Sequence, residues 1–269
     1  VRFSVATLPN RPWAELAAQW QALDAQGWDA IYVSDHLGNP YRADAPWRDA
    51  WTCLAGLALE TRHARIGPLV SSIVFRPAAA VAQAARAVDE ASGGRLDVAI
   101  GAGSPRDHAP AGVEPWSRAE REQRVLAYAR RLRELLPAGV PLVAGRSDAA
   151  LRAAAEVGDG WNTYVGRRLS ADEGRARAAA DLARLDAFCA VTGRSPRRSA
   201  LLGHRFVAEE PFRSEEAFAR VARAWAELGF DELVVYADPY YMVPLGEEAP
   251  PGIVERIARD VLPELRSRG

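Results

Sequence analysis

The sequence predicts a single (β/α)8 barrel spanning residues 1–269, and three observations carry that expectation. Short apolar runs alternate with longer amphipathic segments from one end of the chain to the other. The alternation repeats about eight times, the number that closes such a barrel. The chain has 269 residues, 49% of them hydrophobic, which is enough for one sizeable core in one domain. A doubly wound open sheet is the other architecture that the same alternation allows. No interdomain linker, heptad array or low-complexity segment interrupts the pattern.

The elements follow in order. Val1 to Leu8 reads as a buried strand closed by Pro9-Asn10. Pro12 opens a helix with Leu16, Trp20 and Leu23 at helical spacing, and Gly27 ends it. Asp29 to Ser34 is the second strand, followed by a long loop from Leu37 to about Arg48 and a helix from Asp49 to Glu60. Arg65 to Ser72 is the third strand and Pro77 to Ala91 the next helix, turned by Ser92-Gly93-Gly94-Arg95. Leu96 to Ile100 is short and mostly apolar, as a strand covered on both faces should be. After a loop, Ser117 caps an arginine- and glutamate-rich helix to Leu136, the fourth of the barrel. The second half alternates strands at Pro141–Ala144, Gly160–Val165, Ser199–Val207 and Glu232–Tyr236 with helices at Ser147–Val157, Ser170–Val191, Ser214–Leu228 and Gly252–Leu265.

Composition narrows the function classes. A net charge of -1 offers no basic surface for nucleic acid. The apolar runs are short and broken by charge, so no membrane span is expected, and the N-terminus shows no signal-peptide pattern. Cys53 and Cys189 fall in predicted helices far apart, which reads as free thiols in a reducing cytoplasm. All 34 basic residues are arginine, which excludes Schiff-base lysine chemistry and a P-loop lysine. Neither a His-x-His nor a Cys-x-x-Cys ligand set appears, so no metal site is expected, and no Gly-x-Ser-x-Gly elbow marks a serine hydrolase.

In (β/α)8 barrels the chemistry gathers at the C-terminal ends of the strands. That rule selects Asp35-His36, where an apolar run ends in a carboxylate and an imidazole and turn residues follow. Imidazole titrates near neutrality and can give or take a proton during turnover. A capping aspartate with a loop histidine is the plainer account of the same dipeptide. Gly101-Ala102-Gly103 follows a buried strand, which suits either a tight turn or close approach of a flat or phosphorylated ligand to the backbone. Gly145-Arg146-Ser147 precedes a helix and is either an anion cradle or an ordinary cap. His63 lies in a basal turn, His108 in the loop after the fourth strand, and His204 inside a strand.

Four stretches together resemble the bacterial luciferase-like oxidoreductase superfamily, in particular its deazaflavin (coenzyme F420)-dependent branch. They are Gly27 to His36, Ile66 to Ser72, Asp89 to Arg95 leading into Gly101-Ala102-Gly103, and Gly158-Asp159-Gly160-Trp161-Asn162. The resemblance covers most of the first 165 residues in order; the C-terminal third matches only as barrel architecture. It implies a luciferase-like TIM barrel whose cofactor ring lies at the C-terminal face. A non-prolyl cis peptide behind the ring would fall at Leu69-Val70, with Ser71 next to it. Asp35 would contact the ring's polar edge, and His36 would be the proton donor or acceptor. Gly101 and Gly103 would flank the ring, and Gly145, Arg146 and Ser147 would take the phosphate. One departure is plain: the family's long insertion between the fourth helix and the fifth strand is shortened here to Leu136–Pro141. Asp238-Pro239-Tyr240-Tyr241-Met242 could supply an aromatic cover in its place.

The expected activity is hydride transfer between reduced F420 and a small organic substrate. An FMN-dependent monooxygenase on the same fold, and a barrel that binds a ligand without turnover, are the alternatives. Trp47, Trp51, Trp116 and Tyr164 fit an aromatic-walled cavity, although core packing explains tryptophans equally well. Neither nucleic acid nor membrane is an expected partner. The resemblance brings with it the family's common homodimeric state.

Overall fold

The computed structural model describes residues 1–40, 44–103, 105–145, 147–164, 169–202, 210–237 and 248–267. The elements run β1 (Arg2–Thr7), α1 (Trp13–Ala25), β2 (Ala30–Val33), α2 (Ala50–Glu60), β3 (Arg65–Pro68), β4 (Ser71–Ser72), α3 (Ala78–Ser92), β5 (Val98–Gly101), α4 (Pro105–His108) and α5 (Arg118–Leu135). They continue with β6 (Leu142–Ala144), α6 (Asp148–Val157), β7 (Gly160–Tyr164), α7 (Ala171–Thr192), β8 (Arg197–Leu202), α8 (Glu215–Glu227), β9 (Glu232–Tyr236) and a C-terminal helix α9 over 253–267. The helix starts follow their caps. Ser117 and Ser170 form capping boxes with Glu120 and Glu173, while Asp49, Ser147 and Ser214 accept from the first-turn N–H groups. Within α9, Ile257–Val261 winds as a π-turn. Pro263 lies just beyond it, lacks an N–H and crowds the carbonyl four residues back, which favours the wider turn there.

The strands are all parallel and ordered β3-β2-β1-β9-β8-β7-β6-β5-β4. The expected third strand, Arg65 to Ser72, is divided in two. Its lower piece, β3, pairs with β2, and its upper piece, β4, pairs with β5. The barrel closes across this seam through a parallel bridge, Ile66 with Leu96. Gly67 permits that closure: a Cβ there would stand 2.1 Å from the Asp97 carbonyl oxygen. So the architecture is the expected (β/α)8 barrel, with one strand changing partners midway. Smaller differences include the short helix α4, where a plain loop was expected, β5, which starts two residues later than Leu96, and β8, which starts two residues earlier than Ser199. The expected continuation of β8 to Val207, with His204, lies outside the described residues.

Side chains alternate across the barrel wall. Outward-facing Val5, Ile31, Val33, Ile66, Val98, Ile100, Trp161 and Val235 pack against the helices in one large core. Inward-facing Ala6, Ala30, Tyr32, Leu69, Ala99, Val143, Leu201 and Val234 fill the middle of the barrel. Its base is ionic. Arg197 contacts Asp97 at 3.0 Å and Glu232 at 3.1 Å, Arg65 holds Asp97 at 2.7 Å, and Ser4 donates to Glu232 at 2.5 Å. The Ser92-Gly93-Gly94-Arg95 turn also belongs to this base. Gly93 ends α3 in the left-handed region (φ 70°), and the Arg95 guanidinium then donates to the carbonyls of Ala58, Thr61 and Ala64 at the end of α2. Both cysteines are free, Cys53 buried and Cys189 half-buried. Among the described residues no helix is long and apolar enough to cross a membrane.

Candidate active site

Because the strands are parallel, β2, β4, β5 and β6 all end at the same pole. Asp35 leaves β2 there and is buried, 3% exposed. Its Oδ2 accepts from the Ser71 hydroxyl at 3.0 Å and from the Arg76 guanidinium at 2.8 Å. Ser71 in turn accepts from the Trp51 indole N–H at 3.1 Å. Arg76 extends its other terminal nitrogen to Asp49, which caps α2 by accepting from the Thr52 N–H at 2.8 Å. The Tyr128 hydroxyl holds the Arg76 carbonyl at 3.0 Å. Asp35 is thereby fixed between the end of β2, the divided third strand and the start of α2.

This packing sets the electrostatics. Burial pushes the Asp35 carboxyl above its ordinary range, with Arg76 and Ser71 restraining the rise. Burial acts the same way on Asp49, but Thr52 and Arg76 outweigh it and the net shift is downward. The second oxygen of Asp35, Oδ1, is buried and has no hydrogen-bond partner among the described residues. An acceptor left in that state is a costly feature unless something else supplies a donor.

His36 stands beside this cluster. Its Nδ1 lies 3.3 Å from Asp107 Oδ1, and its ring sits 5.7 Å from the Trp47 ring at 59°. Leu69-Val70 is a non-prolyl cis peptide, at the bond the resemblance implied. Leu69 points into the barrel and its N–H bonds the Val33 carbonyl at 2.9 Å. Val70, Trp47 and Tyr164 are half-buried over the inner core, which brings an apolar, aromatic rim to this end.

The glycines show a use that sequence reasoning did not foresee. A Cβ on Gly101 would come within 2.5 Å of the Val70 methyl, and one on Gly103 (φ +75°) within 2.5 Å of Val74 and 2.8 Å of the Ser72 hydroxyl. The room they leave is taken by the segment around the cis peptide, so the strand end and the bulge interlock. Gly145 lies close to them, its Cβ position 3.3 Å from the Ile100 carbonyl oxygen. Ser147 acts as the cap of α6, accepting from the Ala150 N–H at 3.2 Å. Arg146 lies outside the described residues, as does the segment from Asp238 to Met242.

The structure thus brings Asp35, Leu69, Val70, Ser71, Gly101 and Gly103 together, with His36 alongside and Gly145 and Ser147 on the neighbouring strand end. Sequence reasoning missed Arg76 and Asp107. Arg76 is the last residue before Pro77 opens α3, and a charged group between a strand end and a helix start was the available signal. Asp107 sits in α4, which no periodicity announced. His108 is buried there and meets the Trp116 ring edge-on at 5.0 Å. A cavity of about 540 Å³ lies away from this cluster, between α1 and the chain entering α9. The chemistry-bearing groups are not there. Among the described residues no cluster of three or more His, Cys, Asp or Glu could hold a metal ion.

Comparison with known proteins agrees with this architecture. The chain is 26% identical over 180 residues to a 5,10-methylenetetrahydromethanopterin reductase of Archaeoglobus fulgidus, covering 60% of this chain and 52% of that protein. It therefore spans about half the length of that relative. Its fold superposes on an F420-dependent secondary alcohol dehydrogenase, solved with an F420-acetone adduct, at a TM-score of 0.81 and 15% identity, covering 98% of this chain and 99% of the other. It also superposes on the oxygenating constituent of 3,6-diketocamphane monooxygenase from Pseudomonas putida, solved with FMN, at a TM-score of 0.72 and 13% identity, covering 98% of both chains. The sequence pattern of one family, described as luciferase-like monooxygenase, matches residues 1–249, and the chain belongs to that family.

Proposed function

We propose that this chain is an oxidoreductase that moves hydride between coenzyme F420 and a small organic substrate at the C-terminal face of the barrel. One observation carries the reading: a buried carboxylate, Asp35, stands against the cis-peptide segment with Oδ1 lacking a donor among the described residues. The pyrimidine edge of a deazaflavin or flavin presents an N–H of the kind that oxygen needs. The residues present therefore fit a tricyclic cofactor. When bound, such a group supplies or accepts the hydride.

The chain's own work is positioning and proton handling. Arg76 and Ser71 hold the Asp35 carboxylate still, so that its free oxygen is aimed before anything binds. Val70, locked against Gly101, would form part of the wall that holds the cofactor. Trp47 and Tyr164 exclude water from the rim. His36 moves the proton at Nε2: when hydride leaves a carbon that bears a hydroxyl, the hydroxyl proton must go to a base, and the reverse reaction returns it. A histidine directly after the strand-end aspartate, as the deazaflavin-dependent branch commonly carries, favours the deazaflavin over FMN and oxygen.

The test is a titration of the purified protein with F420 and with FMN, followed by absorbance and fluorescence. Binding of F420 with little retention of FMN is expected. Tight FMN binding with oxygen consumption after reduction would replace this reading by the monooxygenase one. Failure to bind either cofactor would make the chain a non-redox barrel.

A further inference from the structure

We infer that Asp107 is a positioning residue for His36, holding the imidazole in its Nδ1–H tautomer and leaving the Nε2 lone pair for proton transfer. The inference rests on the proton role proposed for His36, but its physical content does not depend on which cofactor binds. His36 Nδ1 and Asp107 Oδ1 are 3.3 Å apart, and the two side chains are 32% and 11% exposed. An ionised carboxylate can only accept, so the hydrogen between them belongs to Nδ1. A neutral imidazole carries one N–H, which leaves the lone pair on Nε2.

Further contacts make this arrangement a built one. Trp47 lies against the His36 ring at 5.7 Å and limits its rotation. The backbone carbonyls of Asp107 and His108 accept from the Ala111 N–H at 3.2 and 3.0 Å, and the His108 carbonyl also accepts from the Val113 N–H at 3.0 Å. His108 itself is buried with its ring against Trp116, on which the Arg124 guanidinium stacks at 4.5 Å. Asp107 is therefore presented from a short turn anchored in the core. A contact of 3.3 Å is long for a charge-assisted hydrogen bond, and such bonds often tighten only once substrate is bound. In the half-reaction that takes a proton from a hydroxyl, that proton moves to Nε2, and Asp107 then faces the resulting imidazolium cation.

The experiment is nitrogen-15 NMR of the histidine side chains in the cofactor-free protein, at a pH where the imidazoles are neutral. The His36 signals are assigned by their loss in His36→Gln. The wild type should show His36 as the Nδ1–H tautomer, and Asp107→Ala should move it to the Nε2–H form that free imidazole favours. With F420 and a turning-over substrate, Asp107→Ala should lower kcat by about 10²-fold while F420 affinity stays within a few-fold, the loss expected for a misplaced catalytic group. His36 in the Nε2–H form in the wild type, or no change of tautomer in Asp107→Ala, overturns the inference. Because the NMR reading needs no cofactor, a failed F420 titration would remove the proposed function and leave the tautomer result standing.

Discussion

Arg76 donates to Asp35 at 2.8 Å with one terminal nitrogen and reaches Asp49 with the other, so one guanidinium joins the acid at the end of β2 to the cap of α2. The arginine side chain is 19% exposed and that of Asp35 is fully buried. Removing the arginine would leave a buried carboxylate with only Ser71 to satisfy it. Arg76→Ala should lower the unfolding free energy by about 3 kcal/mol, the lower end of the cost of breaking a buried pair. Arg76→Lys should recover only part of this, because a lysine offers no rigid fork to span two carboxylates. Urea unfolding checks both; a loss below about 0.5 kcal/mol, typical of surface substitutions, would sink the assignment.

His36 is the group on which turnover should depend most. His36→Ala should reduce kcat by about 10²–10⁴-fold, the range for a general acid or base, and leave F420 affinity within a few-fold. Steady-state kinetics alongside a cofactor titration separate the two. An equal loss in both would remove its assigned role.

Gly101 and Val70 should behave as a coupled pair. Gly101→Ala places a methyl within 2.5 Å of the Val70 side chain and should cost about 1–3 kcal/mol by overpacking. Adding Val70→Ala to that variant should return most of the loss, so the double-mutant cycle should show coupling of about 1 kcal/mol or more. Additive effects would mean that the interlock carries no energy.

At the base of the barrel, Arg197 is the shared counterion of two buried carboxylates, Asp97 and Glu232. Burial alone would ease its proton off, but Glu232, Tyr32 and Asp97 outweigh that and hold the charge more firmly than usual. Arg197→Leu should therefore destabilise by about 3–5 kcal/mol. For a chain of this size that is a fall in Tm of roughly 6–20 °C, readable by calorimetry.

The pH dependence of stability should contain two opposed contributions. Asp24 accepts from the N–H groups of Arg62, His63 and Ala64, at 2.7, 3.0 and 2.7 Å. Burial raises its pKa, but these bonds outweigh it and the folded value lies below the ordinary 3.8. Its stabilisation is present in full above 3.8 and is lost as the pH falls through the lower folded value. Asp35 is raised instead, so its contribution is greatest below 3.8 and is lost as the pH rises through its folded value. Asp24→Asn should cost about 1–3 kcal/mol near neutral pH and much less in acid, as measured by urea unfolding at several pH values. An equal cost at all pH values would contradict the assignment.

Much of the barrel was legible because its signals are local. Alternation, caps such as Ser117 and Ser170, and stop signals such as Gly93 are written within a few residues of the elements they define. The divided third strand was not. Its break depends on where Gly67 and Gly101 meet chain distant in sequence, and no period within Arg65–Ser72 reveals a change of partner. The site was legible to the same degree. Asp35 and His36 announce themselves at the end of an apolar run, whereas Arg76 and Asp107 matter only through the side chains that tertiary packing brings to them. Gly101 and Gly103 were noticed for the right property, the missing side chain, but the neighbour that occupies the room is the protein's own valine.

The ionic base described above has one more consequence. With Arg65, Asp97, Arg197 and Glu232 stoppering the lower end and inward-facing side chains filling the middle, Asp35 and His36 are reached from the opposite pole. Under the proposed function, reactant and product must share that one face, so departure of a spent molecule becomes a gate on the arrival of the next.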